Sequence, residues 1–134
     1  MPADPAAIRT TIEQYLARFS AGDREGWLAL WSDDCTMEDP VGTPLKHGKG
    51  LIGAFYDEGQ KAADSIELRP TDYMIVCGNQ ASFAMQVRPT LGGQTMVIPA
   101  IDVMKFDDDG RITSQRAFVD FTQLRPADDE APRV

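Results

Sequence analysis

The chain carries a single histidine, His47, and only two cysteines, Cys35 and Cys77, in 134 residues. Zinc centres are assembled from clusters of those two residue types, so no zinc site is expected. The cysteines form no C-x-x-C motif and read as small buried hydrophobes. Cations are also scarce: 13 Lys and Arg stand against 21 Asp and Glu, a net charge of −8. Phosphates would be repelled, which argues against a nucleic-acid partner. No apolar run approaches the roughly 18–20 residues that span a bilayer. The segment Met1–Pro5 has neither the basic nor the apolar part of a secretory signal, so the expected location is cytoplasmic. Asp107–Gly110 is no calcium loop, because the EF-hand register would place Lys105 and Arg116 at the first and last ligand positions. It reads instead as a hairpin turn. Neither a repeat nor a linker is visible. The expectation is one domain over residues 1–134, with residues 1–4 and 123–134 as loose tails.

What the chain does have is an apolar stretch, Met96–Phe106, bounded by Gly92-Gly93 and by Asp107–Gly110. Its length and boundaries predict a strand buried on both faces. Between Met96 and Met104 the one polar side chain is Asp102. With period 2, Met96, Ile98, Ala100, Asp102, Met104 and Phe106 share a face, and Lys105 points away from it. A carboxyl on such a face needs a cation, a metal or its own proton. Desolvation favours the proton, and a neutral carboxylic acid in an apolar interior is a hydrogen-bond donor. The alternative is a structural Asp held by backbone N–H groups or a distant Arg.

Asp4-Pro5 is a helix start, with Asp as N-cap and Pro at the first helical position. Ile8, Ile12, Tyr15, Leu16 and Phe19 follow at helical spacing, and Gly22 fits the end. Tyr15 falls in the middle of that buried face, where its hydroxyl needs a partner. It is either a core tyrosine bonded to a carbonyl or a site donor. Asp23 caps a short second helix with Trp27, Leu30 and Trp31 inward, ended by Ser32-Asp33-Asp34. Cys35–Asp39 reads as a strand with Cys35, Met37 and Asp39 on one face, and Pro40 ends it. Asp39 is then a carboxylate at a strand end, or merely the first residue of a turn. Val41–Gly50 reads as a loop. Leu51–Ala63 reads as a third helix, with Leu51, Ile52, Phe55 and Tyr56 inward. Strands follow: Ile66–Arg69, ended by Pro70; Tyr73–Cys77 and Ala81–Val87 around the turn Gly78-Asn79; the Asp102 strand; and Arg111–Phe121. In the last strand Ile112, Ser114, Arg116 and Phe118 alternate with Thr113, Gln115, Ala117 and Val119. Three helices and then a meander of strands predict α+β. The expected form is a cone, with the helices on a strongly curved, mostly antiparallel sheet around an apolar pocket.

The runs Tyr15–Asp23, Leu30–Gly42 (with Glu38-Asp39-Pro40-Val41-Gly42), Phe55-Tyr56 and Ile101–Phe106 resemble the bacterial steroid delta-isomerases, or ketosteroid isomerases. The resemblance covers about residues 8–121. Beyond this branch lies the SnoaL-like and nuclear transport factor 2-like superfamily, whose shared fold does not assign function. The resemblance implies roles for matching residues. Asp39 falls at the general base, Tyr15 at the phenol of the oxyanion hole and Asp102 at its protonated carboxylic acid. That family is the established case of an Asp kept neutral beside an Asp base. Tyr56 matches a tyrosine that supports the catalytic phenol in part of the family. Trp31, Phe55, Met85, Val87, Met104 and Val119 match substrate-lining positions. Two departures stand out: Pro99-Ala100-Ile101-Asp102 replaces the usual Ala-Pro-Ile-Asp, and Met85 and Pro89 replace pocket aromatics. The implied activity is isomerisation of a 3-oxo-Δ5-steroid to its conjugated Δ4 form without metal or organic cofactor. The implied substrate is a small apolar ketone, and the implied assembly a homodimer through outer sheet faces. Rival readings are a SnoaL-like polyketide cyclase and a steroid- or lipid-binding module with little turnover.

Overall fold

The structure, a computed structural model, describes residues 2–129. Helix α1 (Pro5–Ser20) begins as its sequence dictates: Asp4 Oδ1 accepts the Ala7 N–H at 2.7 Å and Pro5 occupies the first turn. Its buried side is Ile8, Ile12, Tyr15, Leu16 and Phe19. Gly22 then turns the chain with φ +72, a left-handed conformation that costs glycine nothing. Asp23 caps α2 (Arg24–Leu28), which buries Trp27.

From here the chain departs from the expected order. Trp31 and Ser32-Asp33-Asp34 do not belong to the end of α2. They open strand β1 (Trp31–Glu38), and the register slips between Trp31 and Thr36. The slip absorbs the polar residues as a bulge, which lets both Trp31 and Cys35 point inward. The loop after Asp39 contains a short strand, β2 (Lys46–His47), ahead of α3 (Lys49–Ala62). Helix α3 buries Ile52, Gly53 and Tyr56, whereas Leu51 is exposed.

Strand β3 (Ser65–Cys77) runs through Pro70, which was expected to end a strand. β3 is an edge strand and its register shifts between Pro70 and Met74, the setting in which a proline is tolerated. β3 is joined by the Gly78-Asn79 turn to β4 (Gln80–Leu91), and β5 (Gln94–Phe106) and β6 (Ile112–Val119) follow. β5 buries one face from Ile98 to Phe106, and the other only at Val97, where β7 pairs with it. Ile98, Ala100, Asp102, Met104 and Phe106 are inside as the period predicts, but Ile101 on the other face is 48% exposed. A second bulge, between Lys105 and Phe106, brings Ile112 onto the inward side together with Gln115 and Ala117. Cys77 is exposed, while Cys35 is buried.

The expected cone around a strongly curved sheet is not what forms, although the pairings are mostly antiparallel as expected. The sheet is open and mixed, in the order β2-β1-β6-β5-β4-β3, with β2 and β3 left as unjoined edges. β1 and β6 pair in parallel. Closure needs the outer strands to hydrogen-bond, and these two lie at opposite ends of the ladder. The result is α+β with helices packed on a mixed sheet.

The segment after β6 is also ordered differently from the expected loose tail. A 3-10 turn (Phe121–Gln123) leads to β7 (Arg125–Pro126), which pairs with Met96 and Val97 of β5. Residues 130–134 and Met1, also expected to be loose, lie outside the described residues. Among the described residues no helix is long and apolar enough to cross a membrane.

Candidate active site

Strand register assembles the site. On β6, Ala117 stands opposite Asp102 of β5, and Asp102 stands opposite Phe83 of β4. Across the parallel pair, Glu38 aligns with Arg116, so Asp39 follows alongside Ala117. Asp39 and Asp102 come close enough for the charge of one to act on the other. One row along, Gln115 aligns with both Met37 and Met104. From there its amide nitrogen reaches both carboxyls: Nε2 donates to Asp39 Oδ2 at 3.1 Å and to Asp102 Oδ2 at 3.2 Å. Helix α1 closes the row from above. The Tyr15 ring packs against Trp27 (5.6 Å), Trp31 (6.3 Å) and, edge-on, Phe83 (6.4 Å).

The segment after Asp39 is anchored to the neighbouring strand. The Asp39–Pro40 peptide is cis, Val41 N–H donates to Ala117 O at 2.8 Å, and Thr43 returns a hydroxyl to Pro40 O at 2.8 Å. Glu38, on the opposite side, pairs with Arg116 at 2.8 Å, which holds its carboxyl below the usual range. Neighbouring acids therefore have separate fates, one on the surface and one inward.

The electrostatics follow from burial. Asp102 is 0% exposed, and desolvation, reinforced by the charge of Asp39, pushes its pKa up to about 8 despite the opposing Gln115 bond. It is protonated at pH 7. Its Oδ1 is buried without any hydrogen-bond partner. Burial also raises Asp39, with Gln115 and the nearby Lys46 acting against that rise. Tyr15, 2% exposed, is held well above its ordinary value by burial and by the two carboxyls, so the phenol keeps its proton. The arrangement offers one carboxylate able to accept a proton and two neutral acids able to donate hydrogen bonds.

The residues matched to substrate-lining positions separate. Met104 and Trp31 are fully buried, Met85 is buried beside Ala100, and Val87 and Val119 are half-buried in the same inward-facing set. Phe55 lies under the Lys46 ammonium, 5.3 Å from the ring centroid. Tyr56 does not support the Tyr15 phenol. Its ring packs on Phe19 and Trp27, 5.3 Å from each, and its hydroxyl is buried without a partner. The charges that act on it are Asp23 and Arg24, at the start of α2, and Asp57, one residue on in α3.

A cavity of about 690 Å³ lies next to this row rather than in it. Met85, Ala100, Val119, Pro40 and Val41 contribute to it, but so do Ala84, Ile101, Phe118, Asp120 and Arg125 from the outer face and the C-terminal segment. Neither Tyr15, Asp39 nor Asp102 lines it.

Gln115 is the residue that sequence reasoning missed. It was placed in alternation with Ala117 and Val119, and that face is the inward one. A polar side chain two residues from a short alanine on that face was the available signal.

A fold of helices on an open mixed sheet with acid–base groups on its covered face defines a class, and comparison names it. The SnoaL-like domain model matches residues 12–115, and the chain belongs to the SnoaL-like family. A steroid Delta-isomerase from Nocardioides simplex is 39% identical over 113 residues, covering 84% of this chain and 89% of that one. The epoxide hydrolase/cyclase-like enzyme SalBIII, described with a role in pyran ring formation in the polyether salinomycin, has a TM-score of 0.82. That match covers 92% of this chain and 98% of SalBIII, and at 20% identity it is a likeness of fold.

Proposed function

We propose that this protein is a steroid delta-isomerase that moves the double bond of a 3-oxo-Δ5-steroid into conjugation. Removing a proton beside a ketone leaves negative charge on the carbonyl oxygen, so the reaction needs a base and a hydrogen-bonding site for that oxygen. Asp39 takes a proton from C4, and the electron pair shifts through the ring to a dienolate. Tyr15 and neutral Asp102 donate hydrogen bonds to the dienolate oxygen. Asp39 then returns the same proton to C6, the carbonyl re-forms and the double bond stands in conjugation. Atoms and charge balance without a cofactor.

The observation that carries this reading is Asp102: a protonated, fully buried carboxyl whose Oδ1 has no partner, close enough to Asp39 and Tyr15 for their charges to act on each other. A structural aspartate would be satisfied within the fold. The 39% relationship to a steroid Delta-isomerase supports the same chemistry. The test is ultraviolet absorbance on adding androst-5-ene-dione. Growth of conjugated-enone absorption, lost in Asp39→Asn, is expected. Tight equilenin binding with no enone would replace the isomerase reading by a binding module. Neither binding nor turnover would remove the steroid altogether.

A further inference from the structure

The two acids of this site are joined through one atom. Gln115 Nε2 carries two hydrogens and no lone pair available as acceptor. With Asp39 Oδ2 at 3.1 Å and Asp102 Oδ2 at 3.2 Å, each hydrogen has one carboxyl. Gln115 is itself 0% exposed, on the β6 row next to the one that Asp39 and Asp102 share. We propose that Gln115 is a positioning residue that fixes where the proton of Asp102 sits and which oxygen of Asp39 is free to react.

The assignment follows from donor counting. Asp102 Oδ2 accepts from Gln115, so it is not the oxygen that carries the acid proton. The proton belongs on Oδ1, the buried atom without a protein partner. The acid is thereby pre-aimed at whatever oxygen enters the site, with no rotation about the carboxyl needed during reaction. On Asp39 the same amide engages Oδ2, which leaves Oδ1 as the proton acceptor. Nitrogen rather than oxygen of the Gln115 amide must face the pair, because ionised Asp39 can only accept. An apolar residue at 115 would keep the space filled but leave two buried carboxyl oxygens without a donor, which costs more than the bond itself contributes.

The role for Gln115 in turnover rests on the isomerase reading, but the bridge does not. Other charged or titratable groups facing the pair are Tyr15 from α1, above, and Lys46 from β2, which acts on Asp39. Lys46 is unchanged by substitution at 115; Gln115 also acts on the Tyr15 phenol through a side-chain hydrogen bond, so Tyr15→Phe is titrated alongside to separate the amide's effect on the carboxyls.

The experiment is a carboxyl-carbon NMR titration of the unmutated chain, Gln115→Met and Gln115→Glu, with Asp39 and Asp102 assigned by Asp→Asn variants. Gln115→Met is of similar length and has no donor. Gln115→Glu keeps the shape but replaces the N–H donors. In both, Asp39 and Asp102 are expected to titrate about one pH unit or more higher than in the unmutated chain. In Gln115→Met, kcat should fall about 10-fold or more with little change in KM, and the acid limb of the kcat/KM profile should move up with Asp39. Titrations unchanged in folded variants would overturn the bridge. Shifted titrations in a protein that isomerises no ketosteroid would instead remove the proposed function and leave the bridge standing. If Gln115→Met does not fold, Gln115→Leu, which likewise has neither donor nor charge, decides, because the carboxyl of Gln115→Glu would raise both acids by repulsion alone.

Discussion

Asp102 stands directly opposite Ala117 across the β5–β6 ladder, and the methyl group of Ala117 is the smallest side chain on the buried face of β6 beside the Gln115 amide that reaches both acids. Asp39 comes one residue beyond the Glu38–Arg116 alignment, and the chain two residues further on bonds the Ala117 carbonyl through Val41 N–H.

That relationship predicts the effect of volume. Ala117→Leu inserts three carbons opposite Asp102 in a site where Ala117 is 1% exposed. Overpacking of this kind costs about 1–3 kcal/mol. Activity should be lost beyond what the stability change explains, and denaturant unfolding with turnover measured on the folded fraction separates the two effects.

Asp39→Asn keeps the side-chain shape and removes the ability to accept and return a proton. General acid–base groups contribute about 10²–10⁴-fold. A loss in that range is expected in kcat, with ligand affinity and thermal midpoint nearly unchanged. Near-normal kcat would remove Asp39 as the base.

Tyr15→Phe deletes a hydroxyl and keeps the ring that packs on Trp27, Trp31 and Phe83. Loss of one oxyanion donor costs about 10²–10³ in kcat. If the variant loses only stability, the hydroxyl served the core.

Asp102 should leave a pH signature in stability. Its folded pKa, near 8, lies above the unfolded value of about 3.9. Below the unfolded value both states hold the proton and folding is not penalised. As pH rises from there toward 8 the unfolded chain releases the proton and the folded one does not, so stability falls across that window. Asp102→Leu should therefore gain stability over the unmutated chain progressively between about pH 4 and pH 8, while losing activity. Asp102→Asn keeps an N–H donor and should retain more turnover than Asp102→Leu. Urea midpoints at several pH values test the sign. A destabilised Asp102→Leu at pH 7 would make Asp102 a structural carboxylate.

How much of this was legible beforehand depended on the range of the forces involved. Local periodicity placed Tyr15 on the buried face of α1 and Asp102 on the inward face of β5, since both follow from side-chain geometry within one element. The cap at Asp4 and the turn at Gly78-Asn79 were likewise local. That helices pack on a sheet, α+β, followed from the order of elements, whereas the parallel β1–β6 pair and the uncurved sheet did not.

Tertiary structure alone decided the rest. Whether Pro70 breaks a strand depends on its being at an edge, where no neighbour needs its missing N–H. The bulges near Trp31 and Phe106 depend on partner strands far along the chain, and each re-aims side chains that simple alternation puts on the wrong face. The open sheet could not be read from strand count, because closure is a property of which edges meet. The Tyr56 hydroxyl is without a partner for a similar reason: its helix face was predictable, but its ring neighbours Phe19 and Trp27 were not. Gln115 is the clearest instance. The sequence by itself determined a buried acid, a buried phenol and a strand-end carboxylate. That one amide nitrogen would reach Asp39 and Asp102 together was set by the β1–β6–β5 register, a long-range choice made by the packed sheet.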